Sequence, residues 1–432
     1  MNNDPHQAPR TGVLAIDALS AKGTGIHRAP RGDIYVDRAL PGDTVEARIR
    51  RGVDGVWRGD IMTIIEPSLH RALPPCRHYD RCGGCTIQHA SDTFYRRWKI
   101  DLVRNALAEK SIDPHIWHDP VFLPAGGRRR VTFTALKENG TVALGHLRRR
   151  GGEVTAIDSC LVADPALMRV RQELASRLAP ILQEKEPATA FIQAVDGAFE
   201  IVITGPVGDA GFPDAGIRDA MARLAEEVGS SRIAWRAHLG DAATTVSAIA
   251  PLEARFGALK VELPPLAFLQ PTAAGERALV DAVMAALPQA GYFADLFSGC
   301  GTLTGPMLER GAVDAFDSVA PAIRALDAAK GALPLKALCR DLFRYPLRRE
   351  EASHYDAIVF DPPRAGAAEQ VKHLAASAVP VLIAVSCNPM SFARDALILV
   401  AGGYRLESVQ IIDQFPWSHH VELVAAFRKS AA

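Results

Sequence analysis

Tyr292-Phe293-Ala294-Asp295-Leu296-Phe297-Ser298-Gly299-Cys300-Gly301-Thr302 decides how this chain folds. An apolar run there meets a Gly-x-Gly turn, and residues 303–310 then read as a helix. Glycines at such a turn let the backbone bend tightly and approach a ligand. The same alternation continues outward. Residues 293–297, 313–317, 357–360 and 379–385 read as strands, and 303–310, 321–330 and 391–400 as helices. Strand–helix alternation predicts a mostly parallel, doubly wound sheet of the Rossmann-like α/β class. A closing hairpin, 409–412 and 422–427, is expected around Trp417-Ser418-His419-His420.

Two motifs end apolar strands of this sheet. Phe360-Asp361-Pro362-Pro363-Arg364 closes one, and Val385-Ser386-Cys387-Asn388-Pro389 the next. A lone thiol at a strand end is ordinarily core packing. With Asn-Pro after it and Asp-Pro-Pro one strand away, Cys387 is a candidate nucleophile. Glu422, after His419-His420-Val421, enters the last strand and is a candidate general base. Asp317 ends the strand after the glycine turn, where a carboxylate can bind ribose hydroxyls. Gly299 and Gly301, Asp317 and Asp-Pro-Pro, in that order, suggest a nucleoside cofactor such as S-adenosyl-L-methionine. A nicotinamide cofactor is disfavoured, because the full Gly-x-Gly-x-x-Gly is missing.

A chain of 432 residues is too long for one ordinary core, so two or three domains are expected. No apolar stretch reaches the roughly 18–20 residues that span a bilayer. The first ten residues are polar, without the apolar core of a signal peptide. A cytoplasmic protein with no membrane partner is the expectation. Formal net charge is zero, but it divides unevenly. Residues 1–160 carry 24 Lys/Arg against 18 Asp/Glu, and residues 161–432 carry 25 against 31. The basic surplus includes Arg96-Arg97-Trp98-Lys99, Arg128-Arg129-Arg130 and Arg148-Arg149-Arg150, a pattern that fits a polyanion held by one end.

Seven cysteines without a secretion signal argue against a disulfide framework. Cys76-x5-Cys82-x2-Cys85, with Cys160 later, supplies four soft ligands, and Gly83-Gly84 lets the chain fold tightly between two of them. Four thiolates suit a [4Fe–4S] cluster or an all-cysteine zinc site. The spacing is not the paired Cys-x-x-Cys of a zinc ribbon, which favours iron–sulfur. Cys300 and Cys339 have no evident task.

The rest of the chain divides around this cluster. Residues 11–66 alternate short strands with turns at Gly23-Thr24-Gly25, Arg31-Gly32-Asp33 and Pro41-Gly42-Asp43, as in a small β-barrel that Pro67 ends. Residues 91–110 read as a helix capped by Ser91, with Phe94, Trp98 and Leu102 as a core stripe. Residues 120–260 read as an α+β region, with strands at 131–136, 199–204 and 232–238 and a helix near 165–184. The expected domains are 10–66, 67–260 and 261–432.

Taken together, Cys-x5-Cys-Gly-Gly-Cys, Phe268-Leu269-Gln270-Pro271, Asp-Leu-Phe-Ser-Gly-x-Gly, Asp-Pro-Pro-Arg, Ser-Cys-Asn-Pro and His-His-Val-Glu resemble the bacterial RNA 5-methyluridine methyltransferase family. The likeness covers nearly the whole chain and is nearest to the iron–sulfur ribosomal RNA branch. It implies a TRAM-type (OB-like) RNA-binding barrel, a central iron–sulfur domain and a class I methyltransferase domain, in a monomer. It implies Cys387 as nucleophile and Glu422 as base, with Asp361 beside them. Gln270, Phe297, Gly299, Gly301, Thr302, Asp317, Asp341 and Asp361 would line the methyl-donor and uracil sites. Cys76, Cys82, Cys85 and Cys160 would hold a [4Fe–4S] cluster, and helix 91–118 would pack on the catalytic domain. Thr302 and Asp341 stand where the family usually has Asn, Asp317 where it has Glu, and Pro271 where it has Val.

Uracil C5 is a poor nucleophile. A thiolate adding to C6 makes an enolate, which enriches C5 until it takes a methyl from a sulfonium. The C5 proton then leaves to a base and the thiolate is expelled. The base must first be unstacked, and the barrel and arginine runs would grip the RNA backbone. A tRNA uracil-C5 enzyme and an iron–sulfur RNA-binding protein without activity are the alternatives. Amino-methyltransferases need no Cys and place an aromatic where Arg364 stands. RNA cytosine-C5 enzymes use two cysteines, and only Cys387 is available here.

Overall fold

The computed structural model describes residues 10–30, 32–149 and 151–429. Arg31 of the expected turn, Arg150 of the basic run and the first nine residues lie outside them. The chain forms two compact units, Met1–Leu102 with Trp417–His419, and Val103–Pro416 with His420–Ala432.

The first unit opens with a six-stranded sheet over residues 10–66. The strands Thr44–Arg51 and Trp57–Glu66 contain the segments anticipated at 45–49 and 61–65, and the second stops just before Pro67. Alternation places Val45, Ala47 and Ile49 inward, with Leu14, Ile16, Ile34, Val36 and Ala39 completing a small core. The helix Asp92–Ala108 begins in this unit and ends in the second, its Phe94 N–H bound to Ser91 Oγ at 3.4 Å. Its buried face is Tyr95, Trp98, Lys99, Val103, Ala106 and Leu107. The expected stripe through Phe94 and Leu102 is thus displaced by about one position, and both residues are only half-buried.

The second unit holds two large sheets, each with its own core. A seven-stranded sheet runs Val154–Ala156, Thr141–Leu147, Arg130–Glu138, Pro187–Val195, Ala198–Thr204, Arg232–Arg236, Thr244–Ala248. The helices Pro165–Arg177 and Ala215–Glu227 bury Leu167, Val170 and Leu174, and Met221, Leu224 and Ala225. The first is shorter than the expected 165–184, because the chain leaves the helix at Leu178.

The other sheet carries the strand order Leu335–Cys339, Gly311–Asp317, Gly291–Leu296, Ala357–Phe360, Val381–Ser386, Glu422–Lys429, Tyr404–Asp413, Ile116–Trp117. The first five strands are parallel to one another. Glu422–Lys429 is antiparallel to both of its neighbours, the hairpin expected from the sequence. Gly291–Leu296 is followed in the chain by the strand on one side and later by Ala357–Phe360 on the other. That reversal opens a crevice at the carboxyl ends of the strands. The helix expected at 303–310 is only Thr304–Met307, a single turn. Ala273–Ala286, before the first strand, is a further helix, capped by Thr272 Oγ1, which accepts from Gly275 N at 2.8 Å.

Candidate active site

The sheet delivers the singled-out residues of the catalytic motifs to one edge. Phe297 follows Gly291–Leu296, Asp317 ends its strand, Asp341 follows Leu335–Cys339, Asp361 follows Ala357–Phe360 and Cys387 follows Val381–Ser386. Glu422 begins an antiparallel strand, so it lies at the same edge. Ser386 pairs with Leu423, which sets Cys387 and Glu422 at the end of one ladder.

Burial dominates the electrostatics here. It pushes the half-buried Cys387 thiol up to about 11, helped by the charges of Glu422 and Asp361 and opposed by Arg364. Burial likewise pushes Asp361 up to about 7. Glu422 is 5% exposed. Gln270, also buried, directs Nε2 to Asp361 Oδ2 at 3.5 Å, and its Oε1 accepts from Gln414 Nε2 at 2.8 Å. Cys300 is buried and pushed up to about 12, the state of an inert thiol.

The glycine turn forms a second half of the crevice. Phe297, Gly299 and Gly301 have φ of 65, 54 and 98°. A Cβ on Gly299 would meet open space, whereas one on Gly301 would strike Leu326 Cδ1 at 2.7 Å. Gly301 is therefore favoured by packing and by its φ, and Gly299 by its φ. Gly299 N donates to Asp317 Oδ2 at 2.9 Å, and Val319 N to its Oδ1 at 2.8 Å. Phe297 packs against Phe343, ring centres 5.5 Å apart. Asp341 Oδ1 accepts from Phe343 N at 3.0 Å, and Thr302 is half-buried in the turn. Asp295 Oδ2 accepts from Thr304 Oγ1 at 2.5 Å, while Asp295 Oδ1 and Ser298 Oγ are buried with no hydrogen-bond partner among the described residues. Burial pushes Asp295 up to about 7, and the Thr304 hydroxyl opposes it.

The loop after Asp361 is clamped by the helix Pro389–Ala401. Asn388 Nδ2 and Ser391 Oγ donate to Arg364 O at 3.0 and 3.1 Å, Arg394 Nη2 to Ala365 O at 2.9 Å, and Ala367 N to Asp395 Oδ2 at 2.7 Å.

Cys76, Cys82 and Cys85 are half-buried in the first unit, and Cys160 is half-buried in the second. Among the described residues no group of three or more His, Cys, Asp or Glu side chains is arranged to hold a metal ion. Cys82 Sγ instead accepts from Gly84 N at 3.3 Å within its own turn.

Comparison with known proteins fits this geometry. The tRNA (uracil-5-)-methyltransferase family profile matches residues 339–429, the stretch from the edge strand through Asp361, Cys387 and Glu422. An RNA methyltransferase of Caulobacter vibrioides is 39% identical over 96% of this chain and 99% of its own length.

The chain belongs to the RNA uracil-5-methyltransferase family.

Within that family, the 23S rRNA (uracil(1939)-C(5))-methyltransferase RlmD of a Marinomonas species is 28% identical over 96% of this chain and 94% of its own. The structure of the Pyrococcus abyssi tRNA (uracil-54, C5)-methyltransferase, in complex with S-adenosyl-L-homocysteine, shares the fold. Its TM-score is 0.72, with 20% identity over 96% of this chain and 99% of the other. No described helix of this family member is long and apolar enough to cross a membrane.

Sequence reading missed several residues of this crevice. Gln414 and Phe343 carry no motif, and Asp295 was read only as part of the glycine turn. Arg128-Arg129-Arg130 was expected to grip RNA, but all three are half-buried. Arg129 Nε donates to Gln270 O at 2.9 Å and its guanidinium pairs with Glu276. Arg130 lies over the Phe268 ring at 4.1 Å. A run of like charges gives no hint of such internal roles.

Proposed function

We propose that the protein methylates C5 of a uridine in RNA, with Cys387 as the nucleophile and Glu422 as the base. The observation that carries this is the pairing of Ser386 with Leu423, which sets the thiol and the carboxylate at one ladder end, beside Asp361.

The crevice fits S-adenosyl-L-methionine. Asp295 Oδ1 and Ser298 Oγ are buried with no hydrogen-bond partner among the described residues, and open space lies over Gly299. Asp317 would take the ribose hydroxyls, with Phe297, Gly301, Thr302 and Asp341 around the nucleoside. That donor would supply a methyl on a positively charged sulfur. Cys387 adds to C6 of the flipped uracil, Asp361 and Gln270 hold the polar edge of the base, and Glu422 removes the C5 proton before the thiolate is expelled. A thiol pushed up to about 11 holds little thiolate at neutral pH, so a positive charge placed beside it would raise its reactivity.

Ribosomal RNA is the proposed substrate, supported by the full-length likeness to a 23S rRNA enzyme. The first sheet, with Arg10 and Arg51 flanking Trp57 at 5.3 and 5.8 Å, is proposed as the TRAM-like RNA-binding element. Cys76, Cys82, Cys85 and Cys160 fit a [4Fe–4S] cluster in kind, as four soft sulfur ligands, and the methyl transfer proposed here draws no electrons from it. Mass spectrometry of ribosomal and transfer RNA from a deletion strain tests the reading. Loss of one 5-methyluridine in ribosomal RNA is expected, and unchanged 5-methyluridine in both RNAs would overturn it.

A further inference from the structure

The segment bearing Phe268 and Gln270 is held from outside the catalytic sheet. Glu200, on the strand Ala198–Thr204, is fully buried, and Arg232, which begins Arg232–Arg236, is 6% exposed. Arg232 Nη2 and Nε donate to Glu200 Oε1 at 2.6 and 2.9 Å. The pair does not close on itself. Arg232 Nη1 donates to Leu263 O at 2.6 Å, and Leu266 N donates to Glu200 Oε2 at 3.2 Å. From the neighbouring strand, Gln193 Nε2 donates to Ala267 O at 3.2 Å. Arg129 adds its Nε bond to Gln270 O and its N–H bond to Pro271 O at 2.8 Å.

These bonds all act on one stretch. Residues 263–271 contain no helix or strand, and these side-chain bonds add to two other backbone ones, Ala267 N to Pro264 O at 3.1 Å and Leu263 N to Leu252 O at 2.7 Å. Leu266 sits at φ 61°, after Pro265 in the turn that Ala267 N closes onto Pro264 O, and its N–H is the one that Glu200 accepts from. A buried ion pair is a weak source of stability, because desolvation offsets the attraction and apolar side chains of similar size do as well. What such a pair does well is fix a geometry.

We propose that Glu200 and Arg232 are positioning residues: they set the course of residues 263–271 so that Gln270 faces Asp361 and Phe268 lies under Arg130. The seven-stranded sheet thereby serves the reaction, although Glu200 and Arg232 touch no reacting atom. This rests on the reading of the site as a uracil-C5 methyltransferase.

The test uses the full-length protein with both residues replaced, Glu200→Leu with Arg232→Met, which leaves no unpaired buried charge. The expected result is an S-adenosylmethionine affinity close to that of the parent and a Tm lowered only by the loss of partners for Leu263 O and Leu266 N, with kcat for RNA methylation lowered about 10- to 100-fold by misplacement. A folded double variant that turns over within about twofold of the parent would overturn the proposal. A loss confined to cofactor affinity would also overturn it. If the double variant does not fold, Arg232→Lys decides. It keeps the two charges but loses the planar fork that reaches Leu263 O as well as Glu200, so kcat should fall with S-adenosylmethionine affinity unchanged, and unchanged turnover would refute positioning. A parent protein that methylates no uridine would instead remove the underlying reading.

Discussion

Gln414 Nε2 donates to Gln270 Oε1 at 2.8 Å, and both side chains are buried. The bond fixes which way the Gln270 amide faces and leaves its Nε2 toward Asp361. Gly275, in the helix Ala273–Ala286, makes the arrangement possible. A Cβ there would lie 2.1 Å from Gln414 Oε1 and 2.8 Å from Gln414 Cβ. Gly275→Ala is therefore expected to cost about 1–3 kcal/mol by overpacking, despite the better helix propensity of Ala. It should also turn Gln270 and lower kcat. Calorimetry and single-turnover methylation measure the two effects.

The Cys387 thiol should alkylate slowly in the free protein. Its value near 11 means that the thiolate, the reactive form, is scarce at neutral pH. Iodoacetamide labelling of the Cys387 peptide, followed by mass spectrometry, should quicken about tenfold for each pH unit until about pH 11. Glu422→Gln removes the charge that adds most to the effect of burial. The thiol's value should fall in that variant, and labelling at pH 8 should speed up. Equal rates would show that Glu422 does not act on the thiol.

The clamp on the Asp361 loop predicts a stability effect away from the chemistry. Asp395→Ala leaves the Ala367 N–H without its acceptor and Arg394 without its carboxylate. An unsatisfied buried donor costs about 1–3 kcal/mol. Gly366, at φ 77°, should tolerate no side chain, because a Cβ would lie 2.5 Å from Asp395 Oδ2. Thermal unfolding of Asp395→Ala checks this, and a Tm equal to the parent's would show the clamp to be idle.

Much of the catalytic sheet was legible because its strands are apolar runs with turn chemistry at their ends. Ala357–Phe360 begins and ends where the sequence places it, and Asp361 and Cys387 fall at strand ends as expected. The helix Ala273–Ala286 was legible in principle, since Leu279, Val283 and Leu287 repeat every four residues behind the Thr272 cap, but its alanine-rich run blurs that stripe. Glu200 and Arg232 escaped for a different reason. They are 32 positions apart, and side by side on two parallel strands, a pairing that local periodicity does not encode. Arg129 looked like one more surface charge until the fold turned it toward Gln270.

The four-cysteine set leads to a compositional prediction. Protein purified without oxygen should be brown and carry about four irons and four sulfides per chain. Cys82→Ser should lose most of that iron. Stoichiometric zinc with no iron would favour the all-cysteine zinc site instead.

The covalent step is tested most directly by mixing Glu422→Gln with substrate RNA and S-adenosylmethionine and running a denaturing gel. Without its base, the variant should accumulate an adduct that survives denaturation, holds the methylated uracil and maps by mass spectrometry to Cys387. No adduct, together with retained turnover in Cys387→Ala, would contradict nucleophilic catalysis by this thiol.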